Sequence, residues 1–202
     1  MIKTHSLCRL LLLFVGLTLL LSLTAFAVQG EVATSGSCGN SATWVYDPDS
    51  HTLTISGTGD MYHYNLYDAP WYYFYAEEIR KVVINPGVTG IGAGAFEGCT
   101  GLAQEDGVTY VGNWIVACDE SVAEVVCREG TIGIANGAFE DCFHMKAITI
   151  PTSLDFIGDS AFYAYRVKDI YYAGSEKQWR RIRIGQFNNT LSNATFHYNY
   201  VP

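Results

Sequence analysis

One phrase occurs three times in this chain. Ile91-Gly-Ala-Gly-Ala95-Phe96, Ile134-Ala-Asn-Gly-Ala138-Phe139 and Ile157-Gly-Asp-Ser-Ala161-Phe162 all read Ile-x-x-x-Ala-Phe. A short β-branched run precedes each copy by the same interval: Ile84 to Phe96, Cys127 to Phe139 and Ile150 to Phe162 each span twelve residues. Apolar residues in register at a fixed spacing are the mark of stacked coils, in which each unit buries its apolar edge against the next. This pattern constrains architecture strongly and ligand chemistry weakly.

The first unit has a strand at Lys81-Val-Val-Ile-Asn85, a turn at Pro86-Gly87, and Val88, Ile91, Ala95 and Phe96 directed into the coil, followed by Cys99 and Leu102. The second runs from Glu124-Val-Val-Cys127 through Thr131, Ile134, Ala138, Phe139, Cys142 and Met145. The third runs from Ala147-Ile-Thr-Ile150 through Leu154, Ile157, Ala161 and Phe162. After Phe162 the cysteine is absent and Val167 comes one residue early, which predicts a one-residue deletion before a last strand at Asp169-Ile-Tyr-Tyr172. Phe96 and Phe139 are 43 residues apart, but Phe139 and Phe162 only 23. The excess falls at about residues 103–121, which read as a β-hairpin turning at Gly112-Asn113 beside one coil.

The flanks divide by composition. Lys3 and Arg9, the apolar run 10–21 and Ala25-Phe-Ala27 make residues 1–27 a secretory signal peptide. Residues 28–41 are a Gly/Ser/Thr-rich leader. Residues 42–78 form an N-terminal β cap, with a hairpin of Ala42-Thr-Trp-Val-Tyr46 and Thr52-Leu-Thr-Ile-Ser56 around Asp47-Pro-Asp-Ser50; Leu53 and Ile55 occupy its buried face. Residues 79–172 carry the repeats, and 173–202 a C-terminal helix–strand cap. In that tail Ser175-Glu-Lys-Gln178 is a capping box, Trp179 and Ile182 are the buried side of a short helix, and Ala194-Thr-Phe-His-Tyr198 is a final strand. Lys177, Arg180, Arg181 and Arg183 read as a solvated face, and Asn188 and Asn193 fit the N-x-Ser/Thr pattern.

Formal charge is −8, and loss of Lys3 and Arg9 with the signal makes the remainder more acidic. That disfavours nucleic acid and anionic membrane surfaces as partners. Five cysteines remain after residue 27, so they cannot all pair within the chain. Cys99, Cys127 and Cys142 fall where the repeat demands small apolar groups and read as buried thiols. Cys38 and Cys118 are less constrained, and nothing in their spacing singles out a bond between them.

The repeat resembles that of the BspA-type leucine-rich repeat proteins, whose pattern is Ile-x-x-x-Ala-Phe-x-x-Cys-x-x-Leu followed by a short strand. Ile91, Ala95, Phe96, Cys99, Leu102 and Ile134, Ala138, Phe139, Cys142, Met145 carry the likeness, with Pro86 and Pro151 after the strands. The flanking Gly36-Ser-Cys-Gly39, Trp44, Leu53-Thr-Ile-Ser-Gly-Thr-Gly59, Pro70-Trp71, Tyr171-Tyr-Ala-Gly-Ser175 and Trp179 are also similar. The resemblance implies an α/β repeat fold: a right-handed leucine-rich-repeat solenoid with a short parallel sheet, here of about three repeats. It also implies surface exposure, adhesion and binding of host or bacterial macromolecules, with no family-wide catalytic residues. The chain ends without a sorting motif.

No nucleophile, base or metal constellation stands above background. His51, His63, His144 and His197 lie in unrelated contexts, and Gly90-Ile-Gly-Ala-Gly94 lacks the Lys-Ser/Thr of a phosphate loop. The expectation is a non-enzyme without cofactor or metal, whose partner is a protein or glycan on a host or bacterial surface; a purely structural module of a larger surface assembly is a further alternative. Two surfaces are candidates for binding it. The pleat turns Lys81, Val83, Glu124, Val126, Ala147, Thr149, Asp169 and Tyr171 outward in rows about 4.8 Å apart between strands. The alternative is the aromatic stretch 61–75, where Tyr62, Tyr64, Tyr67, Trp71 and Tyr72 could stack on a sugar ring, or simply pack over the first coil.

Overall fold

Each coil contributes two short strands, and each set of strands stacks into its own ladder. The computed structural model describes residues 32–65, 67–163 and 167–201. The expected signal peptide lies outside the described residues, as do 28–31 of the expected leader. Thr34–Pro202 forms one compact unit.

The unit opens with β1 (Ser35–Ser37), β2 (Gly39–Asp47) and β3 (Thr52–Met61), paired antiparallel in order. Part of the expected leader is therefore sheet, and Cys38 within it is fully buried. Asp47 closes the β2–β3 turn, its carboxylate accepting from the Asp49 amide at 3.0 Å and the Ser50 hydroxyl at 2.6 Å. Trp44, Tyr46, Leu53 and Ile55 all turn inward. Strand β3 then pairs in parallel with both β4 (Lys81–Ile84) and β5 (Val88–Gly90), so one long strand spans both strand positions of the first coil.

Three further strands, β6 (Gln104–Glu105), β7 (Val108–Val111) and β8 (Trp114–Cys118), make up the insertion. They lead into β9 (Glu124–Val126), β10 (Gly133–Ile134), β11 (Ala147–Ile150), β12 (Phe156–Ile157), β13 (Asp169–Tyr172), β14 (Arg183–Ile184) and β15 (Thr195–Tyr198). One ladder has the order β15-β13-β11-β9, and the other β14-β12-β10-β8-β7-β6. Pairing is parallel throughout the first ladder and from β14 to β8 in the second, as successive coils require. The second ladder aligns Ile115, Ile134, Ile157 and Ile184 in one row.

The core lies between the two ladders. Ile134, Ile148, Ile150, Ile157 and Ile170 are fully buried, each such side chain contributing roughly 1.5–3 kcal/mol relative to exposure. The Ala-Phe positions close the coil, with Phe139 and Phe162 ring centroids 5.1 Å apart. Phe96 departs from that pattern: it is only half-buried and stacks on Trp71 at 6.0 Å.

One expectation is corrected. The Ala-Phe segments are successions of turns rather than helices: Glu97 N bonds Gly94 O, Cys99 N bonds Phe96 O and Leu102 N bonds Cys99 O, each three residues back. Such short, glycine-rich stretches do not repay helix nucleation. Among the described residues helix is confined to α1 (Tyr72–Tyr75), α2 (Glu176–Trp179) and α3 (Asn189–Asn193), so the fold is a β-solenoid of short strands with few helices rather than a strand–helix repeat. The tail adds strands to the stack. β14 and β15 extend both ladders, with the Ser175 amide donating to Gln178 Oε1 at 2.9 Å at the start of α2. The inserted hairpin joins the ladder itself, β8 pairing in parallel with the coil strand β10.

Candidate binding face

Strands β9, β11 and β13 alternate sharply between their two faces, and β15 continues their register. Val125, Ile148, Ile150, Ile170 and Tyr172 point into the core, and Cys127 follows β9 on the same side. Burial pushes the Cys127 thiol up to about 12 from an ordinary 9.0, because its charged form would lose all hydration. On the opposite face the register makes two rows: Glu124, Ala147, Asp169 and Thr195, and Val126, Thr149, Tyr171 and His197.

Expected residues from β9, β11 and β13 thus occupy one surface, with Val126 66% exposed and Thr149, Asp169 and Tyr171 half-buried. Lys81 and Val83 do not join them. Strand β4 pairs with β3 instead of β9, aligning Lys81 with Thr52 and Val83 with Thr54. The expected continuous ladder is therefore split between two sheets. The insertion separates β4 from β9 in the chain, and the long strand β3 supplies the edge that β4 pairs with.

The last strand supplies residues that sequence reasoning left out. His197 Nε2 lies 2.9 Å from Asp169 Oδ1, and the imidazole stacks on the Tyr171 ring with centroids 4.5 Å apart and planes at 14°. The Tyr200 ring also meets Tyr171, tilted by 50° with centroids 4.8 Å apart. The available signal was the alternation in Thr-Phe-His-Tyr198, which matches Asp-Ile-Tyr-Tyr172 position for position. Reading that strand as a terminal cap, rather than as a further rung, hid His197.

The aromatic stretch separates by helical geometry. Trp71 is 0% exposed: it donates from Nε1 to Ala95 O at 2.8 Å and lies edge-on to Trp44 at 5.7 Å. It is core and cannot meet a ligand. Tyr64 is half-buried, with its hydroxyl 3.3 Å from Cys38 O. Tyr62 and Tyr67 are exposed, and Tyr67 sits 4.8 Å from the half-buried Tyr72. Tyr73 and Phe74, absent from the expected set, are 76% and 59% exposed. One turn of helix carries Tyr75 back to the side of Trp71, where it stacks on Tyr46 at 4.2 Å, and turns the residues between them outward.

Among the described residues, no group of three or more His, Cys, Asp or Glu is placed to hold a metal ion. His144 is exposed, its Nδ1 3.0 Å from Glu120 O. The Asn188 amide is buried and fully engaged, donating to Gly158 O at 2.8 Å and accepting from the Phe162 amide at 3.0 Å, so its place in a glycosylation pattern is incidental.

A family model described as BspA type leucine rich repeat region matches residues 69–194 in 6 copies. The span begins inside the aromatic stretch and ends inside the tail, so it is longer than the three units that the Ala-Phe phrase marks. A crystal structure of a leucine-rich repeat protein from Eubacterium ventriosum is similar at 16% identity and a TM-score of 0.37, covering 82% of this chain and 73% of that one. No curated protein matches.

Proposed function

The chain belongs to the BspA-type leucine-rich repeat family, and from that premise we propose that it is a secreted or cell-surface protein that recognises another macromolecule without catalysing a reaction. Leucine-rich repeats are a protein-interaction architecture, and extended sheet faces are the surfaces that solenoids use. The reading takes the winding as right-handed, the hand of nearly all parallel crossovers. It takes β2–β3 as the cap over the first coil and the last helix and strand as the cap over the final one. Among the described residues no helix is long and apolar enough to cross a membrane.

The observation that carries the choice of site is the Tyr171–His197–Tyr200 cluster beside Asp169. Stacked rings and a 2.9 Å imidazole–carboxylate contact hold these side chains before any partner arrives. Pre-ordered aromatics lose little rotamer freedom on binding, which is why interfaces favour them. The occupant that suits an extended, partly acidic face with Tyr171 on an inner strand and Val126 on the edge strand is a protein surface, and adhesion to a host or bacterial surface is the proposed role.

The test is a binding screen of the purified protein against host matrix proteins and microbial surface proteins, repeated with Val126→Asp and Tyr171→Ala. Loss of captured protein in variants that keep their melting temperature supports the reading; unchanged capture overturns it. A second reading has its own support: Tyr67, Tyr73 and Phe74 present aromatic surface at the other end of the molecule, as a carbohydrate-binding module would. Glycan capture lost in Tyr67→Ala and Tyr73→Ala, with protein capture absent throughout, would favour that module.

A further inference from the structure

We propose that Cys118 and Cys142 form a disulfide that ties the inserted hairpin to the turn of the next coil. All five cysteines outside residues 1–27 are thiols in the structure. Cys38, Cys99, Cys127 and Cys142 are buried, while Cys118, at the end of β8, is part-exposed and reachable from solvent.

The backbone brings the two segments side by side. After Cys118 the chain turns through Asp119 and Ser121, the Asp119 carboxylate accepting from the Ser121 amide at 2.9 Å. That turn runs along the one holding Cys142: His144 Nδ1 lies 3.0 Å from Glu120 O, and the Lys146 amide donates to Ala123 O at 2.7 Å. Cys118 and Asp141 line the same cleft. The Cys118 thiol donates to Asp119 O at 3.4 Å, and the acidities of Cys118 and Cys142 diverge. Donation from Cys142 holds the Cys118 thiol below its ordinary value, against opposition from burial and the Asp119 charge. The same bond, with burial and the charges of Asp141 and Asp119, drives Cys142 upward. Cys118, the part-exposed sulfur, is thus the more readily ionised of the two and the one a solvent-borne disulfide can reach, as the attacking thiol of an exchange must be.

The oxidant is a low-molecular-weight disulfide, as an oxidising extracellular compartment supplies. The Cys118 thiolate attacks one sulfur of that disulfide, a mixed disulfide forms, and the first small thiolate leaves. Cys142 then gives up its proton and attacks the Cys118 sulfur, expelling the second small thiolate. The two protein thiols are oxidised, the small disulfide is reduced, and the two protons end on the two small thiols. The closed loop runs the 25 residues from Cys118 to Cys142 and encloses β9 and β10. It also resolves the odd cysteine count, since Cys38, Cys99 and Cys127 stay as buried single thiols.

The test treats the purified protein with excess oxidised glutathione, blocks residual thiols with iodoacetamide in denaturant, and maps peptides by mass spectrometry without reduction. The expected result is a Cys118–Cys142 cross-linked peptide, with Cys38, Cys99 and Cys127 alkylated. Oxidation should also raise the melting temperature by about 5–10 °C, as expected for a loop of this size in a domain of this length. Cys142→Ser should trap a glutathione adduct on Cys118, and Cys118→Ser should show neither bond nor thermal shift. Another pairing, or a lasting glutathione adduct on wild-type Cys118, would overturn the proposal. The wild-type peptide map decides the matter even where a variant folds poorly.

Discussion

His197 Nε2 lies 2.9 Å from Asp169 Oδ1 across neighbouring parallel strands, two residues out of direct register. The contact joins the last strand to the one before it on the outward face, and it orients the imidazole flat against Tyr171. Both side chains are about 40% exposed, at 40% and 39%, so solvent screens the pair. Its value lies in pre-ordering more than in stability. His197→Ala should therefore lower unfolding free energy by less than about 1 kcal/mol. The same variant should weaken capture of a protein partner at least as much as Tyr171→Ala does. A chemical melt and a binding titration on the same preparation check both halves; a large stability loss would show the pair to be structural instead.

The Ala-Phe turns hold the coils shut. Phe139 and Phe162 are fully buried and pack ring against ring at 5.1 Å. Phe139→Ala should cost about 3–5 kcal/mol, the range for emptying a large aromatic site in a core. Phe96→Ala should cost less, because Phe96 is only half-buried. Urea denaturation of the two variants compares them, and equal losses would mean that the first coil is as tightly closed as the later ones.

Two glycines of the chain differ in what they are needed for. A Cβ on Gly92 would collide with the Tyr62 carbonyl oxygen, where backbone has no room to give. Gly112 has open space around it but a φ of +55° at the hairpin turn. Gly112→Ala should cost about 1 kcal/mol, the left-handed penalty alone. Gly92→Ala should cost more, beyond the roughly 1–3 kcal/mol of ordinary overpacking, since it forces the first coil away from the aromatic stretch. Thermal melts of the two variants, read side by side, give the order.

Buried thiols make the fold sensitive to alkali. The Cys127 thiol is raised from an ordinary 9.0 to about 12 by burial. A raised folded-state pKa means that the native protein holds the proton more tightly than the unfolded chain does. The stabilising contribution is complete below pH 9 and is lost as pH climbs from there toward 12, at up to about 1.4 kcal/mol per pH unit for one thiol. Unfolding measured from pH 8 to 11 should show that decline. Cys127→Ala should start less stable, from the cavity, and decline less steeply with pH. A parallel decline in both proteins would assign the slope to other groups.

The sequence by itself determined the coil. The Ile-x-x-x-Ala-Phe spacing, the β-branched runs and the alternation within them were enough to define the inward residues of β9, β11 and β13, because side-chain direction in a strand depends only on parity. The family resemblance was legible for the same reason: it rests on the apolar positions that packing cannot vary freely. Only the tertiary structure decided which strands are neighbours. Parity does not say that β4 pairs with β3 and leaves β9 at an edge, or that β8 and β14, which lack the Ala-Phe phrase, take ladder positions beside Ile134 and Ile157. Nor does it separate buried Trp71 from exposed Tyr73 two residues on, since a single helical turn sets that contrast. Pairing and turn direction depend on which backbone edges and hollows remain free once the other coils are in place, and that is a property of the assembled stack rather than of any one stretch of it.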